Sequence, residues 1–171
     1  DTVNFDDIRR FGFINIIKAE LKIDYLNKIG PDVLEISTKQ SRIIIDKSKK
    51  SKSLIKDFIL NQKYMSGIGN IYANEILFAS RIHPETKVNA LSRNNWNDFF
   101  KNTKKIMQLA IKNNGTTLSD MTYFLPYGEF GSNQNFLKIY SKTNCFNCEH
   151  IIDKIYINQR ATYFCSKCQK L

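Results

Sequence analysis

The chain's four cysteines all lie between residues 145 and 168, as Cys145-x2-Cys148 and Cys165-x2-Cys168. A Cys-x2-Cys knuckle lets two thiolates reach one ion through bonds of about 2.3 Å, and two knuckles complete a tetrahedron. The sixteen residues between the pairs suit a β-hairpin that brings them together. Residues 151–157 (Ile151 to Ile157) and Thr162-Tyr163-Phe164 read as its strands, with Asn158-Gln159-Arg160-Ala161 at the tip. So short a piece cannot fold on apolar burial alone, whereas structural zinc contributes about 10–16 kcal/mol in isolated finger peptides. The expected cofactor is therefore one Zn2+ held by Cys145, Cys148, Cys165 and Cys168. Four thiolates leave no open position, so its role is structural. An iron–sulfur cluster is the competing metal group. A secretion signal is not discernible, which disfavours disulfides.

Three other groups have chemistry suited to phosphate. Arg160 at the hairpin tip can fork to a phosphate with two hydrogen bonds; the alternative is a solvated turn arginine. Gly67-Ile68-Gly69-Asn70 leads into a helix. Glycines admit close backbone approach there, and a helix N-terminus offers free N–H groups to anions. Asn70 is positioned to cap that helix and to donate its amide, and Lys56 on a preceding short helix to reach the same phosphate; a solvated lysine is the alternative. Arg9-Arg10-Phe11-Gly12 places two cations beside an aromatic ring. Phe11 is either a core residue or a wedge for a gap in a base stack.

These groups need elements to carry them. Residues 1–18 read as strand, basic turn and strand, the second strand being Gly12–Ile17, and Gly30-Pro31 marks a turn. Ser37-Thr38 opens a helix to about residue 48, with Ile43, Ile44 and Ile45 inward. A basic linker follows at 47–52, then a short helix from Ser53 to Leu60. A helix at about Ile71–Ser80 is apolar nearly all round and should be buried. Ser92 opens the clearest amphipathic helix, carrying Trp96, Phe99, Phe100, Thr103, Met107 and Ala110 on one face, with Gly115 as its stop. A Gly-rich loop (126–135) and a strand (Phe136–Tyr140) lead to the cysteines. The fold class is α+β, helical in the middle and β at both ends.

The chain has 171 residues, with 26 Lys plus Arg against 16 Asp plus Glu, a net charge of +10. That balance suggests a polyanionic partner, through release of counterions condensed on phosphates. An AT-biased coding sequence rich in Lys, Asn and Ile gives the same composition. No apolar run approaches the roughly 20 residues that span a bilayer. The first residue is Asp1, as expected of a processed product or a piece of a longer protein.

The pieces together resemble the C-terminal part of the bacterial formamidopyrimidine-DNA glycosylase family. The matching stretches are Asp7–Gly12, Asn61 to Pro84 (with Gly67–Phe78 close to that family's wording), Gly115–Leu118 and Gln159–Cys165. The resemblance implies the end of an N-terminal β domain with its linker (1–36), a helix–two-turns–helix DNA-binding domain (37–125), a lesion-capping loop and strand (126–140), and a zinc finger (141–171). It implies that Arg9 and Phe11 fill the hole left by a flipped nucleotide. Arg10, Lys56, Gly69, Asn70 and Arg160 then line the DNA-binding surface, and Arg160 donates a proton in the last strand-cleavage step. Two departures stand out: the 126–135 wording is unusual, and Ile8 replaces the Pro that usually precedes the arginines.

The implied partner is double-stranded damaged DNA, bound by a monomer in the bacterial cytoplasm at the nucleoid, with no membrane involved. The implied reaction is removal of oxidised purines (8-oxoguanine, formamidopyrimidines) and nicking of the abasic site. The family's catalytic Pro-Glu start and assisting Lys have no counterpart in these residues. Glu20, Lys22 and Glu35 lack any surrounding motif, so this chain is expected to bind without excising. The alternative is a non-catalytic zinc-ribbon protein that binds DNA or RNA.

Overall fold

A computed structural model of the protein describes residue 5 and residues 14–117 and 130–171. Five α-helices come first: α1 (Lys22–Leu26), α2 (Thr38–Lys49), α3 (Ile55–Leu60), α4 (Asn70–Ala79) and α5 (Arg93–Lys112). Two antiparallel strands follow, β1 (Asp153–Ile157) and β2 (Arg160–Phe164).

The helix starts follow from their caps. Ser37 accepts from the Gln40 N–H at 3.3 Å while the Gln40 side chain accepts from the Ser37 N–H at 2.9 Å. Ser92 and Asn95 repeat this reciprocal box at the head of α5. Each pair satisfies two N–H groups that the first turn leaves orphaned. Of the three isoleucines expected inward on α2, Ile44 is buried and Ile45 packs beside the core, but Ile43 is 46% exposed. Three consecutive residues sweep more than half a helical turn and cannot share one face. The expected basic linker begins late, because α2 continues through Lys49.

Helix α5 buries Trp96, Phe99, Thr103 and Ala110. Its stop is one residue earlier than expected. Asn114 takes the left-handed conformation (φ 56°) and donates to Ile111 O at 3.0 Å, while the Gly115 N–H reaches Ala110 O at 2.8 Å. This is a Schellman ending, in which Asn replaces Gly at the left-handed position.

The core sits among α2, α3, α4 and α5. It gathers Ile44, Ile55, Phe58, Ile59, Ile76, Leu77, Trp96 and Phe99. Phe58 stacks on Tyr64 at 4.2 Å and meets Trp96 edge-on at 6.0 Å. The expected turn at Gly30-Pro31 is instead a close backbone approach. The Gly30 N–H donates to Gln62 O, and a Cβ on Gly30 would lie 2.6 Å from the Tyr64 carbonyl carbon.

Two expected strands have no ladder partner among the described residues. Residues 14–17 of the Gly12–Ile17 strand are exposed, and Gly12, Phe13 and almost all of the strand expected before them lie outside the described residues. Phe136–Tyr140 likewise pairs with no strand among the described residues. Its donors go to one carboxylate: Glu75 accepts from the N–H groups of Lys138, Ile139 and Tyr140 at 2.8 to 3.0 Å. A carboxylate has lone pairs enough for three donors, so the segment needs no neighbour strand.

Candidate nucleic-acid interface and metal centre

The hairpin closes through a two-residue turn. Ile157 pairs with Arg160, and Asn158 (φ 47°) and Gln159 (φ 62°) both take positive φ. Two positive φ values in a two-residue loop match the right-handed twist of the strands. The tip is therefore Asn158-Gln159, and Arg160 is the first residue of β2, exposed beside the turn.

The strands bring the two cysteine knuckles together. Their four sulfurs lie within 4.8 Å of one another. Cys145–Cys168 is 3.8 Å, Cys148–Cys165 3.6 Å and Cys148–Cys168 3.4 Å. A tetrahedron with metal–sulfur bonds of about 2.3 Å has edges of about 3.8 Å, so the spacing fits a four-thiolate ion. Burial, then contacts with the other sulfurs, pushes the Cys168 thiol up to about 12, whereas a backbone hydrogen bond from His150 pulls Cys148 down to about 7. A divalent cation is the group that lets all four stand as thiolates together.

Three of the phosphate candidates converge on this hairpin. Lys56 is fully buried rather than solvated. Its ammonium donates to Ala161 O at 3.0 Å and to Thr162 Oγ1 at 2.5 Å. Burial first, and then the nearby Arg160 cation, lowers the Lys56 pKa to about 8, against the opposing pull of Asp57. Asn70 Nδ2 donates to the same Ala161 carbonyl at 3.1 Å. Two separate helices thus hold the residue that follows Arg160.

Asn70 does not cap α4. It is the first helical residue, and Gly69 occupies the cap position without a side chain. A Cβ on Gly69 would meet nothing within 4 Å, so the helix N-terminus is open to approach. Gly67 takes φ 100°, a conformation L side chains rarely adopt. Gln62 pins this loop, accepting from the Gly67 N–H at 3.0 Å and donating to Ile68 O at 3.1 Å. Asn70 Oδ1 is buried and accepts no hydrogen bond among the described residues. Arg9, Arg10 and Phe11 lie outside the described residues, as do residues 126–129 of the Gly-rich loop. Its described end folds back on α5, where the Ser132 N–H donates to Asn113 O at 2.9 Å.

Further polar residues fasten the hairpin, and the motif reading did not single them out. Asn74 Oδ1 accepts from the Tyr163 N–H at 2.7 Å while its amide donates to Asn70 O. Gln169 accepts from the Cys165 N–H at 3.0 Å and donates to Ile82 O at 2.8 Å, tying the second knuckle to the turn after α4. His83 meets Phe164 edge-on at 4.4 Å. One signal was present in the sequence: Asn74-Glu75 interrupts a helix that is otherwise apolar all round. Buried polar groups require partners, so that pair marks a contact with another element.

Residues 29–122 match the family described as the formamidopyrimidine-DNA glycosylase H2TH domain. Formamidopyrimidine-DNA glycosylase of Mycoplasma genitalium is 42% identical over 171 residues, covering 99% of this chain and 59% of that protein. The Listeria innocua protein of the same name is 37% identical, covering 98% and 62%. The chain thus spans about 60% of the length of these curated relatives. Among solved structures, Lactococcus lactis Fpg in complex with abasic-site DNA superposes with a TM-score of 0.84 at 32% identity, over 96% of this chain and 61% of that one. MutM (Fpg) from Thermus thermophilus superposes with a TM-score of 0.85 at 28% identity, over 95% and 62%.

Proposed function

The chain belongs to the formamidopyrimidine-DNA glycosylase family, and from that footing we propose that it is the duplex-gripping part of a base-excision enzyme. The whole enzyme removes oxidised purines such as 8-oxoguanine and formamidopyrimidines and nicks the abasic site. This chain binds damaged double-stranded DNA as a monomer and does not excise by itself. Residues 37–125 are the helix–two-turns–helix domain, 126–140 the lesion-capping loop and its exit, and 141–171 a zinc finger with one structural Zn2+ on Cys145, Cys148, Cys165 and Cys168. Residues 1–36 are the end of the preceding β domain and its linker. Arg9 and Phe11 fill the space of the flipped nucleotide. Arg10, Lys56, Gly69, Asn70 and Arg160 form the phosphate-binding surface, with Arg160 also donating a proton in the final elimination.

The observation that carries this reading is the shared grip of Lys56 and Asn70 on Ala161 O. It puts an open helix N-terminus, a buried ammonium and an exposed guanidinium beside one another. Each favours an anion, and together they suit a phosphodiester. Lys56 contributes mainly through its field and through holding Arg160, since its own donors are turned to the hairpin.

Binding of abasic-site duplex at several salt concentrations tests the assignment. Arg160→Ala weakens binding alike for all sequences and lowers the log K against log salt slope by about one. An unchanged slope removes Arg160 from the phosphate surface. For the whole enzyme, borohydride trapping on damaged duplex by the parent protein tests the chemistry, and no covalent adduct overturns it.

A further inference from the structure

A second surface of mixed chemistry uses none of the side chains assigned to phosphate or zinc above. Between the 3-10 turn Asn133–Phe136 and the first knuckle, Asn135, Phe136, Lys138, Lys142, Asn144 and Phe146 line a depression of about 450 Å³. Leu137 is its only buried member. Phe136 is 51% exposed and Phe146 66% exposed. Phe146 sits inside the knuckle, between two ligand cysteines, yet its ring adds nothing to a tetrahedron of sulfurs. Lys138 Nζ stands 4.2 Å from the centre of that ring. Lys142 adds a second exposed cation, and the amides of Asn135 and Asn144 supply both donors and acceptors.

Two exposed rings in one depression rimmed by polar groups form a patch of the kind that binds a partner. That partner must be flat, apolar on its faces, and anionic near the lysines. Nucleobases on a phosphate backbone meet all three conditions: bases stack on aromatic rings whatever their sequence, and phosphates meet the ammonium groups. A closed duplex hides its base faces in the stack, so only unpaired nucleotides can use the rings. An acidic peptide would satisfy the lysines, but it carries a flat ring only where an aromatic residue happens to fall, whereas every nucleotide carries one. We propose that this depression binds an unpaired stretch of nucleic acid, with bases stacked on Phe136 and Phe146 and phosphates held by Lys138 and Lys142.

Fluorescence anisotropy with a labelled oligo-dT of about ten nucleotides, a length within the usual range for one binding module, tests it on the zinc-loaded 171-residue chain. A blunt duplex is titrated in parallel. Phe136→Ala with Phe146→Ala is expected to weaken oligo-dT binding about tenfold or more, and to weaken it well beyond any loss of duplex binding. Arg160→Ala is expected to do the reverse, so a failure of the duplex reading is distinguishable from a failure here. Phe146→Trp is expected to bind normally and to show indole quenching by oligo-dT. Circular dichroism and zinc content check that each variant is folded. The proposal is overturned if the wild-type chain ignores oligo-dT, if the double variant binds it unchanged, or if both DNA forms weaken equally. Displacement of oligo-dT by polyglutamate at equal charge concentration also overturns it, in favour of a charge-only protein-binding surface.

Discussion

Helix α4 is held in two different ways on its two sides. Toward α3 and α5 it presents Ala73, Ile76 and Leu77 to Phe58, Trp96 and Phe99. Toward the hairpin and its lead-in it presents Asn70, Asn74 and Glu75, with Phe78 alone adding apolar contact. The first side is stabilised by area removed from water, which has no direction. The second is stabilised by hydrogen bonds, which do. The helical body therefore owns a core, while the hairpin borrows its placement from polar latches and its coherence from four sulfurs. Under the proposed function, an element that presents Arg160 at a defined place gains from directional contacts more than from extra burial.

Zinc removal is the largest expected perturbation of that contrast. Chelation, or Cys165→Ala, should unfold the hairpin, since structural zinc in finger peptides contributes about 10 kcal/mol or more. Hydrogen exchange over 153–164 should lose its protection while the far-ultraviolet helical signal persists. Simultaneous loss of both would show that the two regions fold as one unit and would dissolve the comparison.

Trp96→Ala attacks the other side. Trp96 is fully buried and touches Phe58, Phe99 and Phe100. A cavity of that size costs about 3–5 kcal/mol. Urea unfolding of the zinc-loaded chain should show the loss in the helical transition, and a loss under 1 kcal/mol would mean the core is looser than its packing.

Glu75→Leu separates a latch from a core residue. It keeps bulk but orphans the N–H groups of Lys138, Ile139 and Tyr140. The expected cost is about 2 kcal/mol, because residues freed from the carboxylate can regain water. Faster exchange should be confined to 138–140 and the adjoining knuckle. A global loss equal to that of Trp96→Ala would place Glu75 in the core instead.

Lys56 gives the smallest and most specific effect. Its folded pKa is about 8 against 10.5 for an unperturbed lysine. Between those values the unfolded chain holds more protons than the folded one, so the Lys56 contribution to stability rises with pH across about 8 to 10.5 and is least favourable below 8. The gain should be absent in Lys56→Met. A bound phosphodiester has the opposite pull and raises that pKa. DNA binding near pH 8 should then take up protons, and affinity should fall as pH rises past 8. Calorimetry in buffers of different ionisation enthalpy reads the uptake directly; none at pH 8 would detach Lys56 from the DNA surface.

Where an element depends on near neighbours, the sequence was sufficient. The knuckle spacing, the Ser37 and Ser92 caps and the Trp96–Ala110 stripe each rest on contacts within a few residues or on one helical period. Expectations failed where a distant partner intervened. Phe136–Tyr140 reads as a strand, but Glu75, more than sixty residues earlier, takes its donors. Asn70 looked like a cap, yet the hairpin offered its amide a carbonyl 91 positions away. Lys56 reads as reaching a phosphate, with a solvated lysine as the alternative; the solvated alternative fails because Thr162 and Ala161 lie over the ammonium.

The residue order by itself determined the cysteine tetrad, the helical middle and the basic charge, since covalent spacing, helical period and side-chain ionisation are properties of the chain. Only the tertiary structure decided that Arg160 begins a strand beside an open helix N-terminus, and which residues hold it there. The physical reason is that a buried donor or acceptor must be paired, while the choice of partner depends on which surfaces meet. That choice was made between α3, α4 and a hairpin whose bonded residues lie 91 to 106 positions downstream.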